Sequence, residues 1–136
     1  MAASGAGDRA QRVESLLSDD PYAALLGIEL VSVDDASIVL RMDIRPDLAN
    51  FTGTTHGGAV FSLADCALSL ASNVAGPAVA IDTHLAVTAS SSPGEALEAT
   101  VVEEATGKRM ATYRVTVRRG DGRVCGAFTG TVFRTG

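Results

Sequence analysis

A chain of 136 residues, 46% hydrophobic and 20% charged, fits one globular domain with a core of its own. A net charge of −5 argues against a general nucleic-acid binder, which needs a basic face, and two cysteines are too few for a disulfide framework. No apolar run is long enough to span a membrane, and the small, polar start lacks a signal-peptide core, so the cytoplasm is the expected compartment.

Residues 1–8 are expected to be disordered, and Val13, Leu16 and Leu17 fall at helical spacing within a short helix over 9–18. The first twenty residues therefore read as a loose start plus one helix, and 21–136 as a single domain. Pro21 opens a further helical turn, Tyr22 to Leu26, which Gly27 closes. From Ile28 the period changes to two. Residues 28–33 and 37–44 alternate as a hairpin around Asp34-Asp35, and Pro46 ends it. A polar loop, Asn50 to Thr55, follows. Gly57-Gly58 break regular structure and open a helix from Ala59 to about Ala75, which Gly76-Pro77 terminate. Strands are expected over 78–88, 95–105, 108–119 and 123–134, with turns at Thr106-Gly107 and Gly120-Asp121-Gly122. Along 110–118 Ala111, Tyr113, Val115 and Val117 share one face, which predicts an antiparallel sheet with one wet side. Runs of strands with one isolated long helix indicate an α+β fold.

The long helix is apolar almost all round, so a sheet curled about it is the simplest arrangement. Its polar residues, Gly58, Ser62, Asp65, Ser69 and Ser72, recur at spacings of four, three, four and three and form one stripe. Asp65 stands at the middle. A carboxylate near a core costs free energy unless it is paired, and no Lys or Arg occurs between residues 46 and 107. Asp65 either accepts hydrogen bonds from Ser62 and Ser69, or from a second copy of the chain, in a structural role, or is held in a cleft to activate water or attack an electrophile. Gly57-Gly58 either serve a tight turn or let a ligand carbonyl approach the unpaired first amides of the helix, which makes an oxyanion site without side chains. His56 reads as a base, a ligand or a loop residue. Only His84 accompanies it, with no cysteine-pair spacing, so no metal and no cofactor are expected. Cys66 and Cys125 read as small buried hydrophobes.

The stretch from Asn50 through His56-Gly57-Gly58 to Leu63-Ala64-Asp65 resembles the hotdog-fold thioesterases of the phenylacetic-acid-pathway type. The likeness extends to Pro21-x-x-x-Leu25-Leu26-Gly27-Ile28-Glu29, to the strand around Ile81-Asp82 and to a hairpin at Gly107-Lys108, and covers roughly residues 20–134. It implies a curled antiparallel sheet wrapped round one long helix, in dimers or dimers of dimers with active sites between subunits. It implies an acyl-coenzyme A substrate. Asp65 would activate water or attack the thioester, the Gly57 amide would polarise the carbonyl, and Asn50 would assist there or hold the water. His56 would shape the loop and orient Asn50 or the substrate. Gly58, Ser62 and Ser69 on the helix stripe, Ala80, Asp82 and Thr83 on the strand, and Gly107, Lys108 and Arg109 on the hairpin would contact substrate or coenzyme A. The sequence departs from the family at Ala80, where Ser or Thr is common, and at Ala86-Val87-Thr88-Ala89, where a Phe-Leu-x-Pro segment is common. Two other readings stand beside hydrolysis: a hydratase or dehydratase of the same fold, and a non-catalytic acyl-thioester binding module.

Overall fold

The computed structural model describes residues 6–136. Helix α1 runs Ala6–Ser18, α2 Pro21–Leu26 and the long α3 Gly57–Asn73. The strands are β1 Glu29–Val33, β2 Ser37–Asp43, β3 Ala78–Val87, β4 Ala96–Thr106, β5 Met110–Arg119 and β6 Val124–Arg134. They form one six-stranded antiparallel sheet in the order β1-β2-β4-β5-β6-β3. Helix α3 lies against β2 through β6, so the sheet wraps the helix as the patterning predicts. Residues 111, 113, 115 and 117 of β5 are all buried and 110, 114 and 118 exposed, which is the expected alternation.

The strand order is set by long-range pairing. β2 pairs with β4 across the whole of α3, with Leu40 opposite Ala99. β3, which follows α3, does not pair with β4. It crosses to the far edge and pairs with β6, with Thr83 opposite Gly130. A bulge between Ala80 and Asp82 interrupts that ladder.

The core is mostly aliphatic. Leu63, Leu68, Leu40, Ile38, Met42 and Val115 are sealed from solvent, and Phe128 and Phe61 meet edge to face at 5.5 Å. Gly126 and Gly130 of β6 let α3 approach closely. A Cβ on Gly130 would lie 2.6 Å from Leu68 Cδ2, and one on Gly126 would lie 3.1 Å from Val60 Cγ1.

Several boundaries differ from expectation. Residues 6–8, expected to be disordered, form the first turn of α1, and residues 1–5 of that expectation lie outside the described residues. Val13 then enters the core outright. Gly57 and Gly58, expected to precede the long helix, are its first two residues, because the His56 ring caps them. The helix also ends at Asn73, not Ala75, where the Asn73 carboxamide accepts the Ala78 N–H at 2.9 Å and turns the chain into β3. A 3-10 turn, Pro46–Leu48, follows β2.

Candidate active site

The entry into α3 is built from local hydrogen bonds. In the preceding loop Asn50 Oδ1 accepts from Thr52 N–H at 3.0 Å and Thr52 Oγ1 at 2.7 Å, while its Nδ2 donates to Thr54 Oγ1 at 3.1 Å. Thr55 and Ser91 close the loop underneath through a buried hydroxyl pair at 2.6 Å. His56 is the N-cap: its Nδ1 accepts the Gly58 N–H at 2.9 Å. A proton on this neutral ring therefore sits on Nε2. The imidazole folds so closely over Gly58 that a Cβ there would lie 3.0 Å from Nδ1. With Gly58 occupied, the Gly57 N–H is the amide of this helix start that finds no acceptor among the described residues.

Eight residues further on, Asp65 faces a cavity of about 290 Å³ lined by Asp20, Tyr22, Phe61, Ser62, Cys66 and Ser69 among others. Helix α2 forms its opposite wall. Asp20 caps α2 by accepting the Ala23 N–H at 3.0 Å, and Pro21 and Gly27 delimit its single turn and a half. Among the described residues no basic side chain lines the cavity. Burial pushes the Asp65 carboxyl above the usual aspartate range, and the Asp20 charge across the cavity pushes in the same direction. The same environment raises the Cys66 thiol to about 12, by burial first and then by Asp20 and Asp65. Cys66 and Cys125 are both free and buried, as small hydrophobes should be.

The structure brings some of the expected residues together and separates others. Ser62 and Ser69 line the Asp65 cavity, but neither hydrogen-bonds its carboxylate. Ser62 Oγ is engaged by Tyr22 and by the Gly58 carbonyl, each at 2.9 Å. Asn50 is hydrogen-bonded within its own loop, and among the described residues no hydrogen bond joins it to His56. His56 and Gly58 line a separate cleft of about 180 Å³, which has Tyr22 in common with the Asp65 cavity. Ala80, Asp82 and Thr83 lie on β3, at the open edge of the sheet, and outside the Asp65 cavity. The turn Gly107-Lys108-Arg109 is aligned with the start of β3 through β6: Arg109 carbonyl accepts the Arg134 N–H at 2.7 Å, and Arg134 pairs with Ala78. Among the described residues Lys108 and Arg109 form no ion pair.

Two residues of the cavity carried no signal in the sequence. Asp20 reads there as one of an acidic pair before Pro21, and Tyr22 as part of a helical turn. Nothing in the linear pattern says that α2 folds over the middle of α3.

A six-stranded antiparallel sheet wrapped around one long helix is the architecture of the hotdog fold. Residues 52–126 match the thioesterase superfamily, and the chain belongs to it. It is similar to a Deinococcus radiodurans protein provisionally named an esterase, 39% identical over 83% of this chain and 78% of that one. The acyl-coenzyme A thioesterase PaaI of Escherichia coli K12 is 29% identical over 93% of this chain and 91% of that one. The E. coli PaaI structure superposes with a TM-score of 0.93 at 28% identity, covering 98% and 97% of the two chains. The structure of the TT0310 protein from Thermus thermophilus does so with a TM-score of 0.81 at 40% identity, covering 85% and 97%. Within the superfamily the chain is a PaaI-like thioester hydrolase.

Proposed function

We propose that the protein hydrolyses acyl-coenzyme A thioesters, with Asp65 as the general base and the Gly57 amide as the oxyanion donor. The observation that carries this reading is Asp65 itself, a half-buried carboxylate with no cation in its cavity and a raised proton affinity. Such a group, once ionised, is a better base than an ordinary aspartate. Asp65 takes a proton from water, and the oxygen attacks the thioester carbon. Negative charge gathers on the carbonyl oxygen, which the Gly57 N–H and the helix dipole stabilise; one such donor is worth about 3 kcal/mol. The C–S bond then breaks, the proton held by Asp65 passes to the departing sulfur, and coenzyme A leaves as the thiol. The choice of coenzyme A as carrier is supported by the name of the E. coli relative and by the unpaired Lys108 and Arg109, which suit phosphates.

Gly57 and Asp65 of one chain cannot serve one thioester. Eight residues of α-helix rise roughly 12 Å, whereas reacting atoms must approach to about 3–3.5 Å. The amide and the acid of a single site therefore come from one protomer and its partner. A second copy also has surface to cover. β3 is an edge strand with Val79 and Ile81 about half exposed, and Phe51, beside Asn50, is entirely exposed. Two copies joined across this edge by a two-fold axis would carry two equal sites. Asn50 and His56 belong to the amide half of each, with Nε2–H of His56 free to meet substrate.

The test is release of free thiol from a panel of acyl- and aryl-coenzyme A thioesters, wild type beside Asp65→Asn. The expected result is turnover by the wild type and a loss on the order of 10²–10⁴-fold in the mutant. Near-wild-type rates in Asp65→Asn would remove Asp65 from the chemistry.

A further inference from the structure

The Asp65 cavity and the His56 cleft have one residue in common, Tyr22. The first compartment, about 290 Å³, is walled by Ala23, Ile28 and Phe61 beside the acid. The second, about 180 Å³, is walled by Leu26, Leu48, Ala49 and Ala59. Each mixes apolar and polar wall, and the phenol of Tyr22 lines both. A relay of hydrogen bonds holds it there. Ser62 Oγ donates its only proton to the Gly58 carbonyl at 2.9 Å, so in the Tyr22–Ser62 contact, also 2.9 Å, the tyrosine is the donor. The hydroxyl is thereby latched to the second turn of α3, although the ring is 57% exposed and packs into no core. Its backbone is fixed as well, by the Asp20 cap and by Gly27 in the left-handed conformation at φ 73°.

We infer that Tyr22 determines acyl specificity: its latched ring divides the space beside α3 and confines the acyl group to the Asp65 compartment. This rests on that compartment being the acyl site proposed above. A cavity of about 290 Å³ lies just under the usual range for small-molecule pockets, roughly 300–1,000 Å³, and suits a short or compact acyl group. With the ring withdrawn, the second compartment opens onto the first and offers further apolar wall to a longer chain. Loss of the hydroxyl alone frees the ring to swing outward and gives part of the same effect.

Binding of non-hydrolysable thioether analogues of acyl-coenzyme A tests this without relying on turnover. One analogue carries a short straight acyl chain and one a long chain, and dissociation constants are measured for wild type, Tyr22→Phe and Tyr22→Ala. Wild type is expected to favour the short analogue. Tyr22→Ala is expected to shift the long-to-short preference by about tenfold or more, the scale of extra methylenes in an apolar pocket, and Tyr22→Phe by less in the same direction. A ratio unchanged in both variants overturns the inference, as does a wild type that already favours the long analogue or binds neither. Should Tyr22→Ala not fold, Tyr22→Phe, which keeps the ring, decides the matter. The thiol-release assay separates this from the reading beneath it. Turnover that depends on Asp65, with chain-length preference unmoved by Tyr22, removes the role of Tyr22 alone. A shifted preference with full activity in Asp65→Asn removes the base alone.

Discussion

The Nδ1 atom of His56 accepts the Gly58 N–H at 2.9 Å, and this contact determines what the helix start can do. It consumes one of two adjacent amides, leaves the Gly57 N–H for a ligand and points Nε2–H away from the helix. It also explains a glycine at position 58, where a Cβ would press on the imidazole at 3.0 Å. Gly58→Ala should therefore displace the ring. Helix propensity gains up to about 1 kcal/mol from the substitution while the cap loses a similar amount, so the melting temperature should move little. Turnover should fall by tenfold or more. A Gly58→Ala enzyme with unchanged kcat and KM would show that the cap has no part in the chemistry.

The acidic limb of the kcat/KM profile should lie above the ordinary aspartate value of 3.8, because burial and Asp20 both raise the Asp65 carboxyl. Asp20→Asn keeps a good cap for α2 and removes the charge. It should move that limb to lower pH and leave the fold intact. A limb at the same pH in Asp20→Asn would mean that the charge across the cavity is not felt by the catalytic group.

The same shift has a consequence for stability. A carboxyl whose folded-state pKa is raised binds more protons in the native than in the unfolded state over that window. Stability then falls as pH rises from the unfolded value through the folded one. Above that window the ionised carboxylate weakens the fold, so Asp65→Asn should melt at the same temperature as wild type or higher. A clear drop in melting temperature, read by calorimetry at pH 7, would point to a structural partner for the carboxylate.

The β3 edge should carry the oligomer. Ile81→Lys places a charge on an exposed apolar edge position, a common device against strand pairing. Light scattering should show a smaller species than wild type, with thiol release lost in proportion, because each site then lacks its second half. A monomeric Ile81→Lys protein with full activity would contradict a site shared between copies.

Close approach of α3 to β6 is tested at Gly130. An added Cβ would lie 2.6 Å from Leu68 Cδ2, inside a sealed core. Gly130→Ala should destabilise by about 1–3 kcal/mol, since a buried leucine must leave its rotamer. Denaturant unfolding with an unchanged midpoint would show that the leucine yields freely.

Much of the architecture was legible in the residues themselves. Alternation over 110–118 and an apolar run from Ala59 onward are local periodicities, and the elements they predict are present. The α+β class and the hotdog resemblance followed from their order and from the Asn50 to Asp65 motif. Element ends were less legible because caps decide them: the His56 ring drew Gly57 and Gly58 into the helix, and the Asn73 carboxamide ended it early.

Other features belonged to tertiary structure alone. The sequence by itself determined which residues are apolar, which carboxylate is out of place and which amides open the helix, because each is a matter of chemistry and spacing along the chain. Only the folded chain sent β3 to the sheet edge, laid α2 across Asp65 and set Asp20 and Tyr22 into its cavity. Those outcomes depend on pairing and packing between segments remote in sequence, such as Thr83 opposite Gly130 and Tyr22 against Ser62, and no local period encodes them.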